Sequence, residues 1–90
     1  MTLTPQQRLE AYKYSKNCLL KPANRSIGVC SLLEEYLAIV LDIYPDDLLN
    51  YFPEFVAQKP KVVKGIYWWN SFNQRLAALD RAIELVKEKI

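Results

Sequence analysis

Lys59, Lys61, Lys64, Tyr67, Trp68, Trp69 and Arg75 form the one cluster in this chain with a specific chemical use. Aromatic faces stack on nucleobases at about 1–3 kcal/mol per base, and lysine or arginine supplies the positive charge that a phosphate needs. Basic and aromatic residues interleaved in this way point to an anionic nucleotide. The competing reading is that tryptophans in a small domain plug the core. Two adjacent tryptophans cannot easily both turn inward from an irregular loop, so one of the pair is expected at the surface. Ser71, two positions after Trp69, opens a helix whose first backbone N–H groups are an anion site in their own right, unless the serine side chain satisfies them. The candidate ligand-binding set is therefore Lys59, Lys61, Lys64, Tyr67, Trp68, Trp69, Ser71 and Arg75.

Other residue types remove catalysis from consideration. The chain has no histidine, so imidazole bases, Ser-His or Cys-His nucleophiles and histidine-ligated metals are all excluded. Cys18 and Cys30 are not spaced as C-x-x-C, and two thiols cannot build a tetrahedral zinc site; their apolar neighbours mark them as reduced packing residues. Glu34-Glu35 and Asp46-Asp47 are vicinal pairs, and neighbours in sequence do not face each other on a helix, so no carboxylate dyad is implied. Asn24-Arg25-Ser26-Ile27-Gly28 lacks the glycine spacing and lysine of a phosphate loop and reads as a connection between helices. No enzyme activity, metal or cofactor is expected. Binding remains.

Charge is segregated along the chain. Residues 1–33 carry five Lys/Arg against one acid, residues 34–54 carry six acids and no base, and residues 55–90 carry seven Lys/Arg against three acids. The bland account is that the acidic middle folds against the basic ends and the charges cancel. The sharper one is that the basic stretch is an anion site while the acidic segment presents Glu34, Glu35, Asp46 and Asp47 to a basic surface on another protein. A net charge of +2 with an acidic centre offers little extended positive surface, so long nucleic acid is not an expected partner.

These groups must be positioned by a single domain, since 90 residues support one core. Thr4-Pro5-Gln6-Gln7 is a capping box with proline at the first helical position, and it starts a helix over 5–20. Val29, Leu32, Leu33, Tyr36, Leu37 and Val40 recur at helical spacing and predict a central helix over 29–43, stopped by Pro45. Prolines at 45, 53 and 60 restrict the middle to short turns between 45 and 58, followed by an ordered aromatic loop at 61–70. Ser71-Phe72-Asn73-Gln74 is a second capping box, and Phe72, Leu76, Leu79, Ile83, Val86 and Ile90 form a narrow seam on a helix over 71–89.

The fold class is thus mainly α, a small bundle of three main helices spanning 1–90. Its expected core is Leu9, Tyr12, Leu19, Val29, Leu32, Leu33, Tyr36, Leu37, Val40, Phe52, Phe55, Leu76, Leu79, Ile83 and Val86. The terminal helix is expected to pack on the central one. A core this small and a seam reaching Ile90 would both gain from a second subunit, so a homo-oligomer is expected. With no signal-peptide pattern at the start and no apolar run of membrane-spanning length, the protein is expected in the cytoplasm, away from membranes.

The order of elements is R-L-E-A-Y-K-Y from Arg8 to Tyr14, F-P-E-F from Phe52 to Phe55, Lys59-Pro60, Tyr67-Trp68-Trp69, and R-L-x-x-L-D-x-x-I from Arg75 to Ile83. This order resembles a group of short uncharacterised proteins encoded by phages and prophages of gut bacteria, over nearly the whole chain. The resemblance implies context and no catalytic residue. Phage accessory genes of this size often encode inhibitors of host defence, acting in the host cytoplasm by sequestering a nucleotide signal or by blocking a host defence protein.

Overall fold

Thr4 starts the first helix as its sequence requires: Thr4 Oγ1 accepts from the Gln7 N–H at 3.1 Å while Gln7 Oε1 accepts from the Thr4 N–H at 2.9 Å. The computed structural model describes residues 2–46, 48–58 and 71–90. Helix α1 (Pro5–Leu19) leads through a 3-10 turn at Pro22–Asn24 into α2 (Val29–Tyr36), which continues as a π-helical turn at Leu37–Leu41. A 3-10 turn at Leu48–Tyr51 and the single-turn α3 (Pro53–Val56) follow, and α4 (Phe72–Lys87) closes the chain. No strand occurs among the described residues, and the architecture is a small, mainly α-helical bundle. The aromatic loop expected at 61–70 lies outside the described residues.

Helix α1 is the middle element, which corrects the expectation that α2 would be. It packs against α2 on one side and α4 on the other, while α3 packs on α4 and the 48–51 turn bridges α2 and α3. The terminal helix therefore packs on α1 and α3, where packing on the second helix was expected. Side-chain size explains the choice. Ala11 and Ser15 on α1 and Ala78 and Ala82 on α4 are all buried, and small residues let helix backbones approach closely.

Most of the expected core is buried: Leu9, Tyr12, Leu19, Val29, Leu32, Leu33, Tyr36, Leu37, Phe52, Phe55, Leu79 and Val86. The rings of Tyr12 and Phe52 meet with centroids 5.6 Å apart. Leu76 and Ile83 are half-buried against this core, and Leu3, Ala11, Cys30, Leu48, Ala78 and Ala82 join it. Val40 is the clear exception, exposed beside Ile39. Its helical stripe holds only while each turn closes on the fourth residue back. From Leu37 the turn widens, with the Asp42 N–H bonding the Leu37 carbonyl, and the wider turn rotates Val40 off the buried stripe. Asp42 then takes a left-handed conformation (φ 53°, ψ 45°), and the Ile43 N–H returns to the same carbonyl at 2.9 Å. The α-helix expected to reach residue 43 thus ends at Tyr36, and Asp42 reverses the chain ahead of Pro45.

Charge cancellation across the chain is partly realised. Glu54, counted in the acidic segment, is buried and pairs with Arg8 from the basic start and Lys89 from the basic end. Lys16 on α1 pairs with Asp80 on α4 at 2.5 Å. No helix among the described residues is long and apolar enough to cross a membrane.

Candidate functional site

Two of the eight candidate ligand-binding residues fall within the described structure, Ser71 and Arg75; Lys59, Lys61, Lys64, Tyr67, Trp68 and Trp69 lie outside it. Both belong to the opening of α4. Ser71 is extended (φ −121°, ψ 156°), and its Oγ accepts from the Gln74 N–H at 3.1 Å, so the serine caps its own helix. It satisfies one of the first-turn donors, leaving fewer for an external anion than an uncapped helix would offer.

Arg75 is buried, which its charge alone does not anticipate. Side chains on a helix lean toward its N-terminus, and from the first turn of α4 this guanidinium reaches the segment after α1. One of its terminal nitrogens donates to the Arg25 carbonyl. Its Nε has no hydrogen-bond partner among the described residues. A buried N–H without an acceptor costs roughly 1–3 kcal/mol, so the position calls for one.

In the sequence Arg25 reads as part of a connection between helices, and the structure places it at the same spot. The Asn24 side-chain amide donates to the Cys18 carbonyl at 3.1 Å, and the Asn24 and Ile27 N–H groups close turns onto Lys21 and Asn24. These bonds fold the 22–27 segment over the start of α4. There the exposed Arg25 guanidinium lies 5.1 Å from the centre of the Phe72 ring, a cation–π contact. Arg75 on the first turn of this 16-residue helix thus bonds the backbone of Arg25, whose own guanidinium covers Phe72 on the same turn, where the helix backbone also favours negative charge. The sequence did carry a signal for Arg25, since the first 33 residues hold a single acid.

The acidic candidates lie elsewhere. Glu34 and Glu35 are exposed on the outer face of α2, and with Ser31, Ala38 and Tyr44 they line an open recess of about 290 Å³. Burial first, with the neighbouring Cys18 and Glu35 adding to it, pushes the Tyr14 phenol up to about 12. Asp46 is exposed but not among the residues lining the recess; Asp47 lies outside the described residues. Tyr44, absent from the expected set, arrives because the left-handed Asp42 turns the chain back along the helix.

Glu54, the last acid of that segment, is buried and not available to a partner. It accepts from Arg8, Tyr12 and Lys89. Burial alone would push its carboxyl up, but bonds from Arg8, Lys89 and Tyr12 outweigh that and hold it at about 2. No protein-family model, curated protein or solved structure matches this chain.

Proposed function

We propose that this chain is a non-enzymatic accessory protein that binds a phosphate-bearing nucleotide at the opening of α4 and withholds it from a host defence effector in the cytoplasm. The observation that carries the reading is the buried guanidinium of Arg75, whose Nε has no acceptor among the described residues, with Arg25 beside it. A phosphate oxygen supplies the acceptor that such a group lacks and is opposite to it in charge. The basic and aromatic residues from Lys59 to Trp69 lead directly into this turn and would contribute stacking.

The test is a thermal shift against a panel of linear and cyclic nucleotides, with inorganic phosphate as control. A ligand at a hundred times its Kd stabilises the fold by about 2.7 kcal/mol. Arg25→Ala, on an exposed side chain, should remove most of that shift without unfolding the protein. No shift with any member, or a shift indifferent to Arg25 and to Trp68→Ala with Trp69→Ala, would end the reading.

A second reading, a protein-blocking role through residues 34–54, is favoured by the exposure of Glu34 and Glu35 beside Tyr44. A host partner retained after Trp68 and Trp69 are changed, and lost on neutralising Glu34 and Glu35, would support it.

A further inference from the structure

The outer face of α2 and the turn after it combine features that a solvated helix face does not need. Ser31, Glu34 and Glu35 stand at i, i+3 and i+4 on α2 and so share one stripe, and Ala38 from the π-helical turn lines the same recess. Ile39 is 65% exposed, Val40 55% and Tyr44 74%, three large apolar side chains within six residues of chain, the first two on the π-helical turn and the third lining the recess. The π-helical turn puts Val40 there and the left-handed Asp42 brings Tyr44 back toward Ala38, so the patch is built by backbone geometry. π-Helical turns in helices are frequent at functional sites. Contiguous exposed apolar surface with a polar rim marks interaction sites.

The charged residues that line the recess, Glu34 and Glu35, are both acidic. Glu34, Glu35, Asp42 and Asp46 are exposed, and no lysine or arginine occurs from residue 26 to 58. Among the described residues neither Glu34 nor Glu35 is in an ion pair. A second copy docked here by two-fold symmetry would set these carboxylates against their own counterparts, which the charges oppose. The recess, about 290 Å³ and open, is at the small end for a ligand pocket and suits a side chain presented by a larger partner.

We propose that this face is a docking surface for a basic amphipathic helix of another protein. An apolar anchor of that helix enters the recess against Tyr44 and Ala38, and its lysines or arginines pair with Glu34 and Glu35. The proposal rests on the protein-blocking reading and specifies its partner's chemistry.

The test uses two synthetic amphipathic helical peptides that share one leucine stripe, one with a lysine- and arginine-rich polar face and the other with glutamates in those places. Fluorescence anisotropy against the full chain should give micromolar binding of the basic peptide alone, weakening as salt rises from about 0.05 to about 0.3 M. Glu34→Lys with Glu35→Lys should weaken it at least tenfold, and Ile39→Ser with Tyr44→Ala should do the same. All four side chains are at the surface, so the variants should fold, with circular dichroism as the check. Binding lost on charge reversal but unchanged in the Ile39/Tyr44 variant would overturn the amphipathic anchor while leaving an acidic protein-binding segment standing. Equal binding of both peptides, or no binding of either, would overturn the proposal. So would self-association of the chain that Tyr44→Ala abolishes, since the occupant would then be a second copy. The nucleotide shift at α4 should be unchanged in the Ile39/Tyr44 variant, which keeps the two surfaces separately testable.

Discussion

The guanidinium of Arg8 forks onto both carboxylate oxygens of Glu54, Nε to Oε1 at 2.9 Å and Nη2 to Oε2 at 3.0 Å, across 46 residues of sequence. Tyr12 donates its hydroxyl to Oε1 at 2.9 Å and Lys89 its ammonium to Oε2 at 2.7 Å. A third nitrogen of Arg8 donates to the Leu3 carbonyl. One buried carboxylate thereby ties α1, α3 and the C-terminal turn together.

Removing either member of a buried pair strands the other in a dry site, at a typical cost of about 3–5 kcal/mol. Glu54→Ala and Arg8→Ala should each destabilise the fold by that order in urea unfolding. Lys89, whose side chain is 51% exposed, should cost less than about 1 kcal/mol on replacement by alanine. Equal losses at Arg8 and Lys89 would show that burial does not set the strength of this network.

Glu54 also predicts the acid limb of stability. Its carboxyl is held at about 2 in the fold against an ordinary value of 4.5. A lowered folded-state value means that the unfolded chain takes up the proton first. The contribution is fully present above pH 4.5 and is lost as pH falls toward 2. The melting temperature of Glu54→Gln should therefore lie below that of the unsubstituted protein at pH 7, with the gap narrowing over this acid range. A gap constant down to pH 2 would refute the linkage.

Two residues of the same apolar pattern should respond oppositely. Leu33 is 0% exposed and Val40 is 55% exposed. Leu33→Ala should cost about 2–5 kcal/mol through transfer and cavity terms, and Val40→Ala should stay within about 0.5 kcal/mol. A large loss at Val40 would mean that the π-helical turn does not carry it to the surface.

Asp42 holds the left-handed position that ends the π-helical turn. Aspartate tolerates this region better than most residues because its short polar side chain can bond locally, whereas β-branched side chains clash there. Asp42→Val should destabilise by about 1–2 kcal/mol, while Asp42→Gly should be neutral or stabilising. Thermal melts followed by circular dichroism decide the point; a neutral valine would argue against the left-handed turn.

Local signals in the sequence determined where the helices lie. A capping box at Thr4–Gln7, a proline at the first helical position and the apolar spacing from Val29 to Leu37 act within one or two turns, so they can be read without a partner. Residue types also bear on chemistry, since a chain without histidine has no imidazole base and no histidine-ligated metal.

Tertiary packing decided which helix lies in the middle and which polar residues go inside. Ser15, Arg8, Glu54 and Arg75 look like surface residues in a pattern of large apolar side chains, yet all four are buried. Small residues choose a helix neighbour through close approach, and a charge enters a core only where another segment meets it with an opposite charge or a carbonyl. Arg8 finds Glu54, and Arg75 finds the Arg25 carbonyl 50 residues away in sequence. The exposed Ile39, Val40 and Tyr44 likewise depend on one widened turn and one left-handed residue. Helical periodicity has no term for either, because it assumes that every turn closes alike.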